Sequence, residues 1–322
     1  MRTSEFTGTL YIHVGPHKTG STTIQRAIDT HRAALAKEGL LYPLSGRGQE
    51  APEQHWDFGE AVLHDKSDAL DRFIGEIDAE IAAAQATRVL ISTEVLSRKY
   101  VTAADLARMP KRFPNAKRVW IALLRRQDGL ASSLYAEHLK KGLIAYPQDE
   151  AQVYGPEFLD HWERLRMIAQ ASQDDEIVVG SFEVMKRDLV ANFLAMMGCH
   201  TDIAAPAEKE ERQNVALPAK ALGALRLINA LPRRVSWRMR EALIDLAKSR
   251  PGLFGTSRLE ARVPSELLAQ YERGNRTIET VFFGGRSVGL SIPGAPNDAR
   301  DMANVDDAAK ARVTGWMPPE AA

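Results

Sequence analysis

Cysteine is almost absent from this chain of 322 residues. The single cysteine, Cys199, cannot form an internal disulfide bond, and no group of Cys and His residues has the spacing of a structural zinc site. The first ten residues also lack the apolar run of a signal peptide. We therefore expect a protein of the reducing cytoplasm that binds no metal.

Excess charge and long apolar runs are absent as well. Lys and Arg total 42 and Asp and Glu total 42, so the net charge is zero. A chain without excess positive charge does not attract nucleic acid over its whole surface. No stretch approaches the ~18 uninterrupted apolar residues of a membrane span. We expect no nucleic-acid partner and no membrane span, and any anion-binding site must be local.

The apolar residues that are present form short runs separated by helical patterns. Nearly continuous apolar runs predict strands that are covered on both faces, and apolar residues spaced three and four apart predict helices between them. The predicted strands are Thr9–Val14, Arg88–Ser92, Arg118–Leu124 and Glu176–Gly180. Strands that alternate with helices predict an α/β fold with a parallel sheet flanked by helices.

The pattern changes in the last third of the chain. We expect an α/β core at residues 1–205, which the loop described below makes a nucleotide-binding one, and an arginine-rich helical extension at 206–291, which completes the core or forms a lid. Residues 292–322 are rich in Pro, Ala, Asp and Gly without periodicity, which predicts a loosely ordered tail that Trp316 could pin.

The segment His13–Gln25, which joins the first strand to the first helix, carries the chemistry. A strand that passes through Gly15 and Gly20 into a helix directs free backbone N–H groups and the positive end of the helix dipole at one point, where a phosphate-like anion binds. Lys18 adds a full positive charge. Further donors come from the hydroxyl groups of Thr19, Ser21, Thr22 and Thr23.

The order of these residues differs from that of a nucleoside-triphosphate loop. In that loop the lysine follows the second glycine, whereas here Ser21 follows Gly20 and Lys18 precedes it. This order argues against a P-loop nucleotide kinase or NTPase, which we keep as an alternative hypothesis. A non-catalytic nucleotide-binding scaffold of the same fold is another.

The segment Pro16–Thr23 resembles the 5′-phosphosulfate loop of sulfotransferases that use 3′-phosphoadenosine 5′-phosphosulfate (PAPS), in its bacterial variant. That family has a second motif, an arginine at a strand end and a serine eight residues later, which bind the 3′-phosphate. Arg125 and Ser133 match this motif, although Arg126 is an alternative for the arginine. The resemblance covers roughly residues 9–290.

The resemblance implies in-line transfer of a sulfuryl group from PAPS to an acceptor hydroxyl or amine, with PAP as product and no metal. The acceptor would be a small molecule or a glycan, with a saccharide or glycolipid favoured. Lys18 would stabilise the leaving oxygen, and the residues from Thr19 to Thr23, Gly20 included, would hold the 5′-phosphate.

The family also places a histidine or glutamate near the acceptor as general base. Glu94, just after the strand Arg88–Ser92, is the leading candidate in this chain. His17, inside the loop, and His55 are alternatives. Glu94 could instead cap the next helix.

Overall fold

Parallel strands form the centre of the molecule. The computed structural model describes residues 1–15, 18–49, 51–98, 100–146, 159–172, 174–201, 203, 217–255, 257, 265–291 and 312–318. Within these ranges one six-stranded sheet has the order β2-β3-β1-β4-β5-β6, and all of its pairings are parallel. The strands are β1 (Thr9–His13), β2 (Leu40–Leu41), β3 (Arg88–Ser92), β4 (Lys117–Leu124), β5 (Glu176–Ser181) and β6 (Val313–Trp316).

Helices cover both faces of this sheet. Leu10 and Ile12 of β1 pack into one apolar cluster, whereas Tyr11 between them packs against a second cluster on the opposite face. Trp120 of β4 is fully buried in the first cluster, and Ile121 belongs to the second. Strands buried on both faces explain the continuous apolar runs in the sequence, and the predicted α/β class with a parallel sheet is confirmed.

Most of the helices connect successive strands. None of the helices that the structure describes is long and apolar enough to span a bilayer. They are α1 (Ser21–Thr30), α2 (Arg32–Lys37), α3 (Trp56–Leu63), α4 (Ser67–Ala84), α5 (Ala103–Leu106), α6 (Arg108–Arg112), α7 (Gln127–Lys141), α8 (His161–Ala171), α9 (Phe182–Met185), α10 (Leu189–Ala195), α11 (Ala219–Asn229), α12 (Arg233–Ser249) and α13 (Ser265–Phe282), with short 3₁₀ turns at Val95–Ser97 and Pro251–Phe254.

The C-terminal helices pack on α7. Leu134 and Leu139 of α7 share a third apolar cluster with Leu225 of α11 and Ile244 of α12. The helical extension therefore lies against the helix that follows β4, on the side of the sheet edge where the strands end.

The C-terminal segment adds a strand that the sequence does not predict. Val313–Trp316 pairs in parallel with β5, with Ile177 opposite Val313 and Gly180 opposite Trp316. Val313 is buried, and Gly315 packs against Phe283, which leaves no room for a side chain at position 315. The expectation of a tail without regular structure is wrong for these four residues, because the open edge of β5 supplies the hydrogen bonds that stabilise an added strand.

The order of the strands reverses direction next to β1: the chain continues from β1 to β2 and β3 on one side of it, and from β4 to β5 on the other side. β1 lies between β3 and β4 in the sheet, and the earlier crossovers lead away from β4. In open α/β sheets, ligands bind at such a switch point, beyond the carboxyl ends of the strands. The segments that follow β1, β3 and β4 therefore meet at the edge where a site is expected.

Candidate functional site

The loop after β1 ends at a helix start whose N-cap residue is a glycine. Gly20 precedes α1 with a φ of 83°, and this residue supplies no side-chain cap to the first-turn N–H groups of α1. A Cβ atom at Gly15 would lie 2.4 Å from the hydroxyl oxygen of Ser21, so the loop backbone passes directly over the helix start. A helix start of this kind leaves donors free for an anion.

Lys18 occupies an unusual position in this loop. Its φ of 69° lies in the left-handed region, which costs energy for a residue other than glycine. Its ammonium group forms an ion pair with the Glu137 carboxylate of α7. Burial disfavours the Glu137 charge, but the ammonium groups of Lys18 and Lys141 outweigh burial and lower the pKa of Glu137 to about 2. An anion already accompanies Lys18 in this state of the protein.

The strand end of β4 brings Arg125 into direct contact with the same loop. Nη1 of Arg125 donates a hydrogen bond of 2.7 Å to the carbonyl oxygen of Lys18. The guanidinium carbon lies 4.9 Å from the centre of the Phe182 ring. Burial lowers the pKa of Arg125, and its buried Nε has no hydrogen-bond partner among the described residues. The two motifs that the sequence places 107 residues apart are therefore in contact.

The neighbouring Arg126 has a different environment. Its Nε lies 2.8 Å from a carboxylate oxygen of Asp128, and this ion pair satisfies its charge. Arg125 makes no ion pair with any residue that the structure describes. Of the two arginines, Arg125 is the one with a guanidinium group available to a ligand.

One face of α7 faces both cations. A Cβ atom at Gly129 would lie 3.3 Å from Nε of Arg125, and Glu137 is paired with Lys18. Ser133 is four residues from each, and residues spaced by four lie on the same side of a helix. Its half-buried hydroxyl makes no hydrogen bond to the described part of the chain, whereas that of Ser132 donates to the Asp128 carbonyl at 2.8 Å. Ser133 thus lies on α7 between the residue that meets Arg125 and the residue that pairs with Lys18.

The hydroxyl groups of the loop divide into two pairs. Thr19 and Ser21 are buried, and their hydroxyl oxygens lie 3.5 Å apart. Thr22 and Thr23, in the first turn of α1, are only half-buried. The first pair supports the loop from beneath, and the second pair remains accessible to a ligand.

Glu94 lies at the same sheet edge as the loop. It follows β3, which pairs directly with β1, and the hydroxyl of Ser97 donates to the carbonyl oxygens of both Glu94 and Gly15, at 2.8 and 2.9 Å. Its side chain is half-buried and makes no capping bond to the short helix at Val95–Ser97. The position is therefore compatible with contact to a molecule bound at the loop.

Of the alternative bases, His55 is held in the interior. Its Nδ1 accepts from the N–H of Ser92 at 3.2 Å, and its Nε2 lies 3.1 Å from the carbonyl oxygen of Pro43. Burial lowers the pKa of His55 to about 3, so it is neutral with both nitrogens occupied. This histidine supports the β3 strand end. His17 and Pro16 lie outside the described residues.

The structure also adds residues that sequence reasoning missed. His13 is fully buried beneath the loop, its Nδ1 lies 2.8 Å from the Ser92 hydroxyl, and burial lowers its pKa to about 4. Glu137 was detectable in principle, because it follows Ser133 by four residues on a predicted helix. Phe182 gave no signal in the sequence, since it meets Arg125 only through the fold. Within the described residues no group of three or more His, Cys, Asp and Glu side chains could hold a metal ion.

Comparisons with known proteins add little to this geometry. No protein-family model matches the chain, and no curated protein matches it. A solved structure described as the crystal structure of sulfotransferase from Alicyclobacillus acidocaldarius is similar, with a TM-score of 0.35 and 17% identity over 71% of this chain and 98% of that chain. At this level of similarity, membership of the sulfotransferase family stays a prediction from the motifs.

Proposed function

We propose that this protein is a PAPS-dependent sulfotransferase. The observation that carries the proposal is the contact between Arg125 and the backbone of Lys18, with Ser133 on the same side of α7 as Gly129, beside Arg125, and Glu137, which pairs with Lys18. Two cations, the Ser133 hydroxyl and the start of α1 then lie together at one sheet edge. A nucleotide with phosphate groups on both the 3′ and the 5′ positions of its ribose needs two separate but neighbouring anion sites.

The groups at the site fit this donor. Gly15 and Gly20 let the backbone approach closely, where a side chain at either position would collide with Ser21 or Leu189. The N–H groups at the start of α1, with the hydroxyls of Thr22 and Thr23, would hold the 5′-phosphate. Arg125, whose Nε is without a partner in the described structure, and Ser133 would hold the 3′-phosphate.

The proposed reaction is an in-line displacement at sulfur. The acceptor oxygen forms a bond to sulfur while the bond from sulfur to the bridging phosphate oxygen breaks. Lys18 stabilises the negative charge that develops on that leaving oxygen. Glu94 takes the proton from the acceptor hydroxyl, which makes the oxygen a better nucleophile. The acceptor is a hydroxyl group, favoured to be that of a saccharide or glycolipid.

Thermal stabilisation by nucleotides tests the proposal. PAP should raise the melting temperature much more than ADP, because only PAP carries the 3′-phosphate; a ligand at 100 times its Kd stabilises by ~2.7 kcal/mol. The Arg125→Gln variant should lose this preference, and Arg126→Gln, which changes the neighbouring arginine, should keep it. Stabilisation by ATP with Mg²⁺ but not by PAP would instead support the kinase or NTPase hypothesis.

A further inference from the structure

Helix α12 and the turns beside it are unusually rich in positive charge. Residues 226–250 contain seven basic and two acidic residues, a net charge of +5 in a chain whose total is zero. Elsewhere the arginines are commonly ion-paired, as Arg47 is with Asp29 and Arg98 with Glu60. Six side chains of this segment, however, form no ion pair with any described residue: Arg233, Arg234, Arg238, Arg240, Lys248 and Arg250.

Four residues of this helix lie on one face. Arg233, Trp237, Arg240 and Lys248 follow a spacing of three, four and eight residues, which places them on one side of an α-helix. We call these four residues the basic face of α12. Ile244, in the same row, is buried against the α7 cluster, so the basic face borders the contact between α12 and α7.

The basic face continues towards the candidate site. A Cβ atom at Gly142, just after α7, would lie 2.3 Å from Nη1 of Arg240, so this arginine lies at the end of α7. Lys140, two residues before Gly142, is half-buried; burial together with the charges of Lys18 and Lys248 lowers its pKa, against the opposing charge of Glu137. Positive groups therefore extend from Lys18 through Lys140 to Lys248 and along α12.

The chemistry of the basic face suits a charged sugar chain. The Trp237 side chain is 49% exposed, and the guanidinium carbon of Arg238 lies 5.3 Å from the centre of its ring. The flat face of an indole packs on the apolar face of a pyranose ring, and guanidinium groups bind carboxylate or sulfate through paired hydrogen bonds.

We propose that the basic face of α12 binds an anionic polysaccharide, which is the sulfuryl acceptor, and directs it to the candidate site at Lys18. This inference rests on the proposed function, and it defines the acceptor class as a chain of sugars that carry carboxylate or sulfate groups. A bilayer would instead be bound through the exposed apolar residues of α12. Val235, Met239 and Leu246 lie on a different side of the helix from the basic face.

Binding of a defined oligosaccharide tests the assignment. The probe is a fluorescent galacturonate hexamer, with neutral maltohexaose as the uncharged control, measured by anisotropy on the full chain. The hexamer should bind and the neutral sugar should not. Arg240→Gln and Trp237→Ala should each weaken binding about tenfold, the effect of one charge-assisted contact. Arg72→Gln, which changes an exposed arginine on α4, should leave binding unchanged.

The Arg233→Gln variant keeps the test valid if another variant fails to fold, because Arg233 is an exposed residue at the first position of α12. Each variant should retain the PAP affinity of the wild type. Failure of the wild type to bind PAP would overturn the proposed function, whereas binding of the hexamer is measured independently of PAP.

Two outcomes would overturn the inference while PAP binding stands. One is no binding of the hexamer, or binding that Arg233→Gln, Trp237→Ala and Arg240→Gln do not change. The other is capture by vesicles of phosphatidylcholine with 30% phosphatidylglycerol that Met239→Ser abolishes and Arg240→Gln does not. That result would assign this segment to a membrane surface.

Discussion

Replacing Glu137 with glutamine should strengthen nucleotide binding. In the ligand-free protein the Glu137 carboxylate is paired with the Lys18 ammonium group, which a bound nucleotide needs for its own charge. The donor must therefore displace an internal anion. Glutamine keeps the size of the side chain and removes its charge, so the nucleotide no longer competes with a carboxylate for Lys18.

The magnitude follows from the pKa of Glu137. Its fall from an ordinary value of 4.5 to about 2 corresponds to ~3 kcal/mol of net stabilisation of the charged carboxylate, at ~1.4 kcal/mol for each unit, because burial offsets part of the attraction to the lysines. Lys141, with Nζ 2.5 Å from the other carboxylate oxygen, shares this interaction with Lys18. An equal division leaves ~1.5 kcal/mol for Lys18, so we expect PAP to bind about tenfold more tightly to Glu137→Gln.

Calorimetric titration with PAP at pH 7 checks this value. The matched control is Glu176→Gln, since Glu176 is also paired with a lysine, Lys117 at 2.9 Å, but lies at the start of β5 on the opposite edge of the sheet. In a Lys18→Met background the gain from Glu137→Gln should disappear. An unchanged or weaker affinity in the single variant, or a gain that persists without Lys18, would refute the reasoning.

Three further changes probe other parts of the structure. Glu94→Gln should lower turnover by about a hundredfold or more with PAP affinity intact, as loss of a general base does, and full activity would exclude Glu94. Ser133→Ala should weaken PAP binding about tenfold, by loss of one hydrogen bond to a charged phosphate, whereas Ser132→Ala should not; calorimetry would reveal equal effects if the assignment is wrong. Asp175→Asn should destabilise the fold by about 3 kcal/mol, because the buried carboxylate accepts from Trp120 at 2.8 Å and is ion-paired; urea unfolding with a loss below about 1 kcal/mol would contradict this.

The sequence predicts those strands that are themselves continuous apolar runs. β3 and β4 are continuous apolar runs, so their type and position could be read directly. β2 has only Leu40 and Leu41, which is too short for periodicity. β6 has four residues and is separated from its partner β5 by more than 130 residues, so its pairing depends on the open sheet edge and on the packing at Gly315.

The residues of the candidate site also fall into two groups, those that local sequence suggests and those whose roles depend on distant contacts. Lys18 is a prediction from the order of residues in its loop, and Arg125 and Ser133 are predictions from their resemblance to the family's second motif; the structure brings Lys18 and Arg125 into contact. The roles of His55 and Glu137 depend on contacts between distant elements. His55 resembles a free base in the sequence, but the Pro43 carbonyl and the Ser92 N–H occupy its nitrogens. Local patterns do not reveal which backbone groups a buried side chain will meet.

The zero net charge of the chain conceals two kinds of cation. Lys18 has an internal partner, so binding a nucleotide exchanges one ion pair for another at this lysine. The basic face of α12 has no such partner among the residues that the structure describes, and its side chains are largely exposed to solvent. Salt screens charges that face solvent far more than it screens buried pairs. Rising ionic strength should therefore weaken binding of the galacturonate hexamer much more steeply than binding of PAP, and equal salt dependence would mean that the two sites are not built in these different ways.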